Sequence, residues 1–237
     1  MRKILLLLLV YVVIQLICSF GLPHQLPLAS LLSALLMMAY LGTFGYLSGD
    51  KRTFSPVSAS FIGLSLLFGI SAIFLVDGLM SVLPLPPLPP VMEEAFVLLQ
   101  TDPWGILYLT LMGPITEELL FRGAITRLLL DRYKQPAIAI LLSGVIFGIV
   151  HGNFSQGIPA FLLGAAFAWL YSLTRSVVPG IAIHILNNAL SVFLSRQFPN
   201  EDDLPQLMGT PAYLALLVVS LILLAVTVRK LMPYRPQ

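Results

Sequence analysis

Long apolar runs dominate the chain, and short polar or proline-rich breaks separate them. Residues 4–20, 27–48, 57–83, 104–128, 137–153, 157–173, 177–195 and 211–228 each approach the ~20 apolar residues that a helix needs to cross a bilayer. Hydrocarbon leaves backbone groups no partner but each other, so such runs are expected as helices. The pattern predicts an all-α, polytopic transmembrane helix bundle of about eight spans. Two breaks stand out. LPLPPLPPVMEE (83–94) favours extended polyproline backbone, and QFPNEDDLPQLMGT (197–210) reads as a second external loop. The expected organisation is one membrane domain over 1–237, with N-terminal scaffold helices over 1–83 and a stiff proline-rich external linker over 84–103. Helices bearing polar motifs follow over 104–195, and a last span over 211–228.

Composition strengthens the membrane reading. The chain is 58% hydrophobic and 10% charged, with mean hydropathy +0.94, where soluble domains carry about 25% charged residues. The net charge of +2 would suggest an acidic partner if its basic residues clustered, but they follow the breaks instead. With the N-terminus inside, Arg2, Lys3, Lys51, Arg52, Arg127, Arg132, Lys134, Arg175, Arg229, Lys230 and Arg235 fall on the cytoplasmic side and Arg196 outside. Glu93, Glu94, Asp102, Glu201, Asp202 and Asp203 fall outside as well. Both termini are thus expected to be cytoplasmic, with the lipid bilayer rather than nucleic acid as the surrounding partner. The single cysteine, Cys18, cannot form an internal disulfide and reads as a packed apolar residue. No internal repeat is evident, which leaves an ion-coupled transporter without its usual signature.

Against this background a few polar residues need a reason to exist. Glu117 and Glu118 lie inside WGILYLTLMGPITEELLFRG, with Arg122 four residues after the second carboxylate. Charges at bilayer depth cost roughly 2.5–3.5 kcal/mol each on insertion scales and mark functional sites by default. In a helix Glu118 and Arg122 share a face and can form an ion pair, while Glu117 is rotated away by about 100°. Glu117 is therefore the candidate free base. His151 closes FGIVH, four residues after Phe147, which places its ring beside the aromatic. Gly144, Gly148 and Gly152 recur every four residues and invite a close neighbour, expected to bring Glu117 to His151. His184 and Asn188, in HILNN, are again i and i+4 and could together hold an oxyanion. Counted from the basic breaks, Glu117 and His184 lie at similar depths, about 15 and 14 Å, while a straight helix would put His151 near 25 Å. Glu117 with His151 and His184 could bind zinc or could activate water without a metal, and the spacing leaves both open.

PITEELLFRG, FGIVH and HILNN resemble, in order and without substitution, the three signatures of the CPBP family of intramembrane proteases, also called the Abi or type II CAAX prenyl endopeptidase family. The resemblance spans roughly 104–192. It implies an eight-helix bundle that hydrolyses a peptide bond of a membrane-associated, prenylated or bacteriocin-like substrate. Glu117 and His151 would act on the hydrolytic water, and His184 and Asn188 would stabilise the oxyanion. Glu118, Arg122 and Phe147 would support them. A divalent metal such as zinc, held by His151 and His184 with Glu117, is one implied cofactor arrangement, and a metal-independent glutamate mechanism is the other. The expected partner is a peptide or membrane-protein substrate, and the expected location is the bacterial plasma membrane. A non-catalytic scaffold or bacteriocin self-immunity protein is the alternative.

Overall fold

The computed structural model describes residues 1–198 and 204–234, and every regular element among them is helical. Ten helices are present: α1 (Arg2–Gly21), α2 (Leu26–Thr43), α3 (Ala59–Met80), α4 (Pro90–Thr101), α5 (Pro103–Arg132), α6 (Pro136–Ile149), α7 (Phe154–Thr174), α8 (Val178–Gln197), α9 (Leu204–Met208) and α10 (Thr210–Leu231). Local chemistry sets many of these ends. The Ser58 and Asn153 side chains accept the Phe61 and Gln156 amides, opening α3 and α7, and Asp102 does the same for α5 through Trp104 and Gly105. Proline occupies the first turn of α2, α4, α5, α6, α8 and α10, where the missing N–H has no intrahelical acceptor to lose.

Among the described residues, six helices are long and apolar enough to cross a membrane, or seven if α4 and α5 are taken as one broken span. The expectation of about eight spans differs at two places. At 14 residues, α6 is shorter than a full span. The region read as a linker over 84–103 is extended only in its first half. Its proline cluster ends at Pro90, which is placed at the start of α4, and no proline falls within the rest of that helix, residues 91–101. A bend of 97° separates α4 from α5. Gly105 permits it, because a Cβ there would strike the backbone of Leu99. Within the expected external loop over 197–210, Leu204–Met208 form the short helix α9, while residues 199–203, with Glu201, Asp202 and Asp203, and Arg235 lie outside the described residues.

Side chains on the outer faces of the bundle, such as Leu5, Leu9, Ile17, Leu221 and Ile222, are exposed and apolar. That is the pattern of a surface solvated by lipid rather than water. Inside, two apolar clusters form. One gathers Leu120, Phe121, Ile125 and Leu129 of α5 with Ile4 and Leu7 of α1 and Met37 and Leu41 of α2. The other joins Phe61 and Phe68 of α3 to Phe167 and Leu170 of α7 and Ile183 of α8. Several loops meet at one end of the bundle, where the Val177 amide donates to Thr53 O, Arg127 donates to Tyr46 O, and Arg175 pairs with Asp131.

Gly144 and Gly148 do admit a close neighbour, but that neighbour is α7. A Cβ on Gly148 would lie 2.6 Å from Gly157 O, and one on Gly144 2.9 Å from Phe161 O. The glycines therefore seat α6 on α7, not on the helix that carries Glu117. Gly152 serves differently, turning the chain at φ +72° just past His151.

Candidate functional site

The polar centre lies between the two apolar clusters, where α5 and α8 face each other. Glu118 and Arg122 are fully buried, and Arg122 Nη1 donates to Glu118 Oε1 at 2.7 Å. Arg122 Nη2 donates to Gly164 O of α7 at 3.0 Å, and its guanidinium lies 4.5 Å from the Phe147 ring centre and 5.3 Å from that of Phe167. A cation taken this far from water needs such neighbours: one carboxylate, one carbonyl and two aromatic faces. Close approach is again secured by glycine. A Cβ on Gly180 of α8 would meet Glu118 Oε2 at 2.5 Å, and one on Gly164 would meet Phe147 Cδ1 at 2.8 Å.

His184 is the connector that spacing did not reveal. Its Nδ1 lies 3.1 Å from Glu118 Oε1 and its Nε2 lies 3.7 Å from Glu117 Oε2, so one imidazole stands between the two adjacent carboxylates. Glu118 Oε1, already paired with Arg122, accepts the Nδ1–H and so fixes the ring's orientation and tautomer. Glu117 is half-buried and faces a cavity of about 510 Å³. His151, Phe147, His184 and Asn188 line the same cavity. The expected direct pairing of Glu117 with His151 is replaced by a shared wall. Among the described residues no hydrogen bond or ion pair joins them, and the imidazole that approaches Glu117 belongs to His184.

His151 lies past the end of α6. Beginning at Pro136 and ending at Ile149, that helix rises about 21 Å, which accounts for only about 4 Å of the roughly 10 Å expected depth mismatch, yet the His151 ring beyond it lines the same cavity as Glu117. His151 Nδ1 donates to Phe147 O at 2.7 Å, leaving Nε2 for a ligand. Its ring stands edge-on to Phe147 at 5.0 Å between centres. The Asn188 amide donates to Leu109 O at 2.9 Å and its oxygen accepts from Asn187, so one amide hydrogen stays uncommitted.

Leu109 O is available because α5 is not uniformly α-helical. Tyr108–Met112 and Leu119–Thr126 are π-helical stretches on either side of Gly113–Glu118. Such wider turns interrupt the regular i→i−4 ladder and recur at functional sites. Here one supplies the carbonyl that holds Asn188.

As a metal centre the arrangement is incomplete. Among the described residues no three His, Cys, Asp or Glu side chains converge to hold a metal ion. The bonds from His184 Nδ1 to Glu118 and from His151 Nδ1 to a carbonyl leave the two Nε2 atoms as the ring donors that could face a ligand.

A second cavity of about 410 Å³ abuts the first, sharing Pro159, Leu163, Asn187 and Ser191 with it. Ile73, Phe74, Met80, Leu190 and Leu194 give it apolar walls.

Fold and site together define a multi-pass integral membrane protein with a carboxylate–imidazole centre inside its bundle. Residues 99–190 match the model of the type II CAAX prenyl endopeptidase Rce1-like family. The chain is 32% identical over 99 residues to the putative membrane peptidase YdiL of Bacillus subtilis (strain 168), covering 42% of this chain and 40% of that protein. It is 29% identical over 113 residues to the membrane-embedded CAAX protease MroQ of Staphylococcus aureus (strain USA300), covering 45% of each. It is 31% identical over 77 residues to the UPF0177 protein YxdF of Lactococcus lactis subsp. lactis (strain IL1403), covering 32% of this chain and 41% of that one. The alignments therefore span less than half the length of each relative. These relatives are bacterial, in keeping with a plasma-membrane location. No solved structure matches the chain.

Proposed function

We propose that the chain is an intramembrane endopeptidase in which Glu117 activates the hydrolytic water. The observation that carries this reading is the convergence of Glu117, His151, His184 and Asn188, from α5, the α6–α7 turn and α8, on one cavity backed by a buried ion pair. Glu117 takes a proton from water, and the resulting hydroxide adds to the peptide carbonyl carbon. His151 Nε2 accepts the other water hydrogen and orients the attack. The oxyanion meets the free Asn188 amide hydrogen and, in the charged form of His184, its Nε2–H. Collapse breaks the C–N bond, and the proton on Glu117 passes to the leaving amine. Glu118 and Arg122 hold His184 in place and touch no substrate. No step is routed through a metal.

The cavity beside the catalytic one, with Ile73, Phe74, Met80, Leu190 and Leu194 on its walls and Asp77, Asn187, Ser191 and Ser195 among them, supports a substrate with an apolar or lipid-modified segment next to the scissile bond. A prenylated CaaX-type peptide and a bacteriocin-like leader both fit that description. The test is cleavage of quenched-fluorescent peptides of both kinds by the full chain in proteoliposomes. Glu117→Gln keeps the shape and removes the base. We expect it to lower the rate on the order of a thousandfold; wild-type cleavage by this variant would refute the mechanism and favour a scaffold or immunity role.

A further inference from the structure

α1 lies outside the matched family segment, and its apolar run would suit a mere scaffold. Yet it carries Gln15, an amide that hydrocarbon disfavours unless it finds a partner. Tyr11 stands one turn earlier on the same face, packed edge-on against Phe121 of α5. Both line a small cavity of about 10 Å³ with Tyr108, Thr116, Ser33 and Glu117. That volume is close to the least that admits one water molecule. Tyr108, Gly113 and Glu117 also line the catalytic cavity, so the small cavity lies directly behind the candidate base.

Two of its polar walls are already committed. Ser33 Oγ donates to Ser30 O at 2.8 Å, and Thr116 Oγ1 donates to Met112 O at 2.7 Å. Tyr11, Gln15 and Tyr108 remain to face Glu117. Gln15 and both phenols line this one small cavity together with Glu117. Gly113 makes room for this arrangement, since a Cβ there would lie 3.0 Å from Tyr108 O and 3.6 Å from the Tyr108 ring.

We propose that Tyr11, Gln15 and Tyr108 are positioning residues for Glu117, joined to it through a single water held in this cavity. α1 is then part of the catalytic machinery, holding the carboxylate toward the substrate side. The inference rests on Glu117 being the base. A water-mediated hydrogen bond is nearly as good as a direct one, and a bond to a charged group is stronger than a neutral one.

The experiment measures kcat and KM for the full chain in proteoliposomes with the best-cleaved of the fluorescent peptides. Tyr108→Phe and Gln15→Leu remove a polar group at similar volume, and Gln15→Leu makes α1 more apolar, so neither should disturb membrane insertion. Each is expected to lower kcat on the order of tenfold; for Gln15→Leu, which lies outside the catalytic cavity, KM should stay within about twofold, while Tyr108→Phe, at the wall of that cavity, is read on kcat. The double variant should lose no more than about the larger single loss, since both act on one water. Wild-type kcat in both single variants, with Glu117→Gln inactive, overturns the proposal while leaving the hydrolytic reading intact. An active Glu117→Gln overturns both. Independently of activity, an experimental map that resolves ordered waters should show one within hydrogen-bond reach of Gln15, Tyr108 and Glu117; a dry cavity there overturns the proposal.

Discussion

Replacing Arg122 with methionine tests the buried centre most directly. In the folded protein neither Arg122 nor Glu118 has measurable exposure, and the Arg122 Nη1 to Glu118 Oε1 contact is 2.7 Å. Methionine fills much of the space between Phe147 and Phe167 but leaves Glu118 with only the His184 Nδ1–H as a donor. Breaking a buried pair by deleting one partner costs about 3–5 kcal/mol, because the remaining charge is uncompensated. In a chain of this size that corresponds to roughly a 10 °C fall in Tm. The loss is not the intrinsic worth of the pair. Removing both charges, with Arg122→Met and Glu118→Gln together, should be less damaging than the sum of the single changes by about 2 kcal/mol. The measurement is thermal and denaturant unfolding in detergent micelles, followed by helical circular dichroism for wild type, both singles and the double. An Arg122→Met variant within about 0.5 kcal/mol of wild type, or strictly additive singles, would refute the reasoning.

Three further outcomes are expected. Gly180→Ala places a Cβ 2.5 Å from Glu118 Oε2, and that carboxylate cannot swing away while Oε1 is held by Arg122 and His184; stability should fall by about 1–3 kcal/mol and cleavage should be lost, as the same unfolding and peptide assays will show. Tyr213→Phe removes the 2.6 Å hydrogen bond from α10 to Asp77 of α3, and should destabilise by about 1 kcal/mol with faster amide exchange in α10 and unchanged kcat. Asp50 lies in the loop between α2 and α3. Partial burial pushes its carboxyl upward, but hydrogen bonds and charge from Arg52 outweigh this and leave it below the ordinary value. A depressed folded-state value means the contribution is present above about pH 4 and is lost as pH falls through the lowered value. Because Arg52 is partly exposed, Asp50→Asn should cost no more than about 1 kcal/mol at pH 7, with the difference from wild type shrinking as pH falls below about 4.

The legible features were those fixed by one helix alone. Glu118 with Arg122, and Phe147 with His151, are i and i+4 neighbours, so helical period predicts their contact without knowledge of any other element. The apolar runs likewise located the long helices, since hydrocarbon permits little else. Legibility ended where two helices meet. That His184 of α8 lies between both glutamates depends on Gly180 allowing α8 close to Glu118, and a glycine in a sequence does not say which helix will use it. The same ambiguity misdirected Gly144 and Gly148, which serve α7. The helix α4 was hidden by its prolines, which read as a linker although the last of them lies at a helix start. The π-helical stretches left no sign in the apolar pattern, and the part played by α1 was masked by its resemblance to scaffold.

The adjacency of Glu117 and Glu118 follows from the same geometry. Successive residues on a helix diverge by about 100°, which ordinarily sends neighbouring carboxylates to different surroundings. One imidazole has nitrogens on two sides, and His184 offers Nδ1 to Glu118 and Nε2 toward Glu117. Divergence is therefore what lets two consecutive residues reach opposite sides of a single ring. The consequence is a division by depth. Glu118 points inward to Arg122 and is fully buried, while Glu117 borders a cavity of about 510 Å³ shared with His151, His184 and Asn188. A base must exchange protons with substrate and water, so it has to be the less buried of the two. A carboxylate that orients an imidazole must keep its charge, so it belongs beside the arginine. Exchanging the two surroundings would put the arginine-bound carboxylate in the cavity and the proposed base in a buried pocket, out of reach of substrate and water.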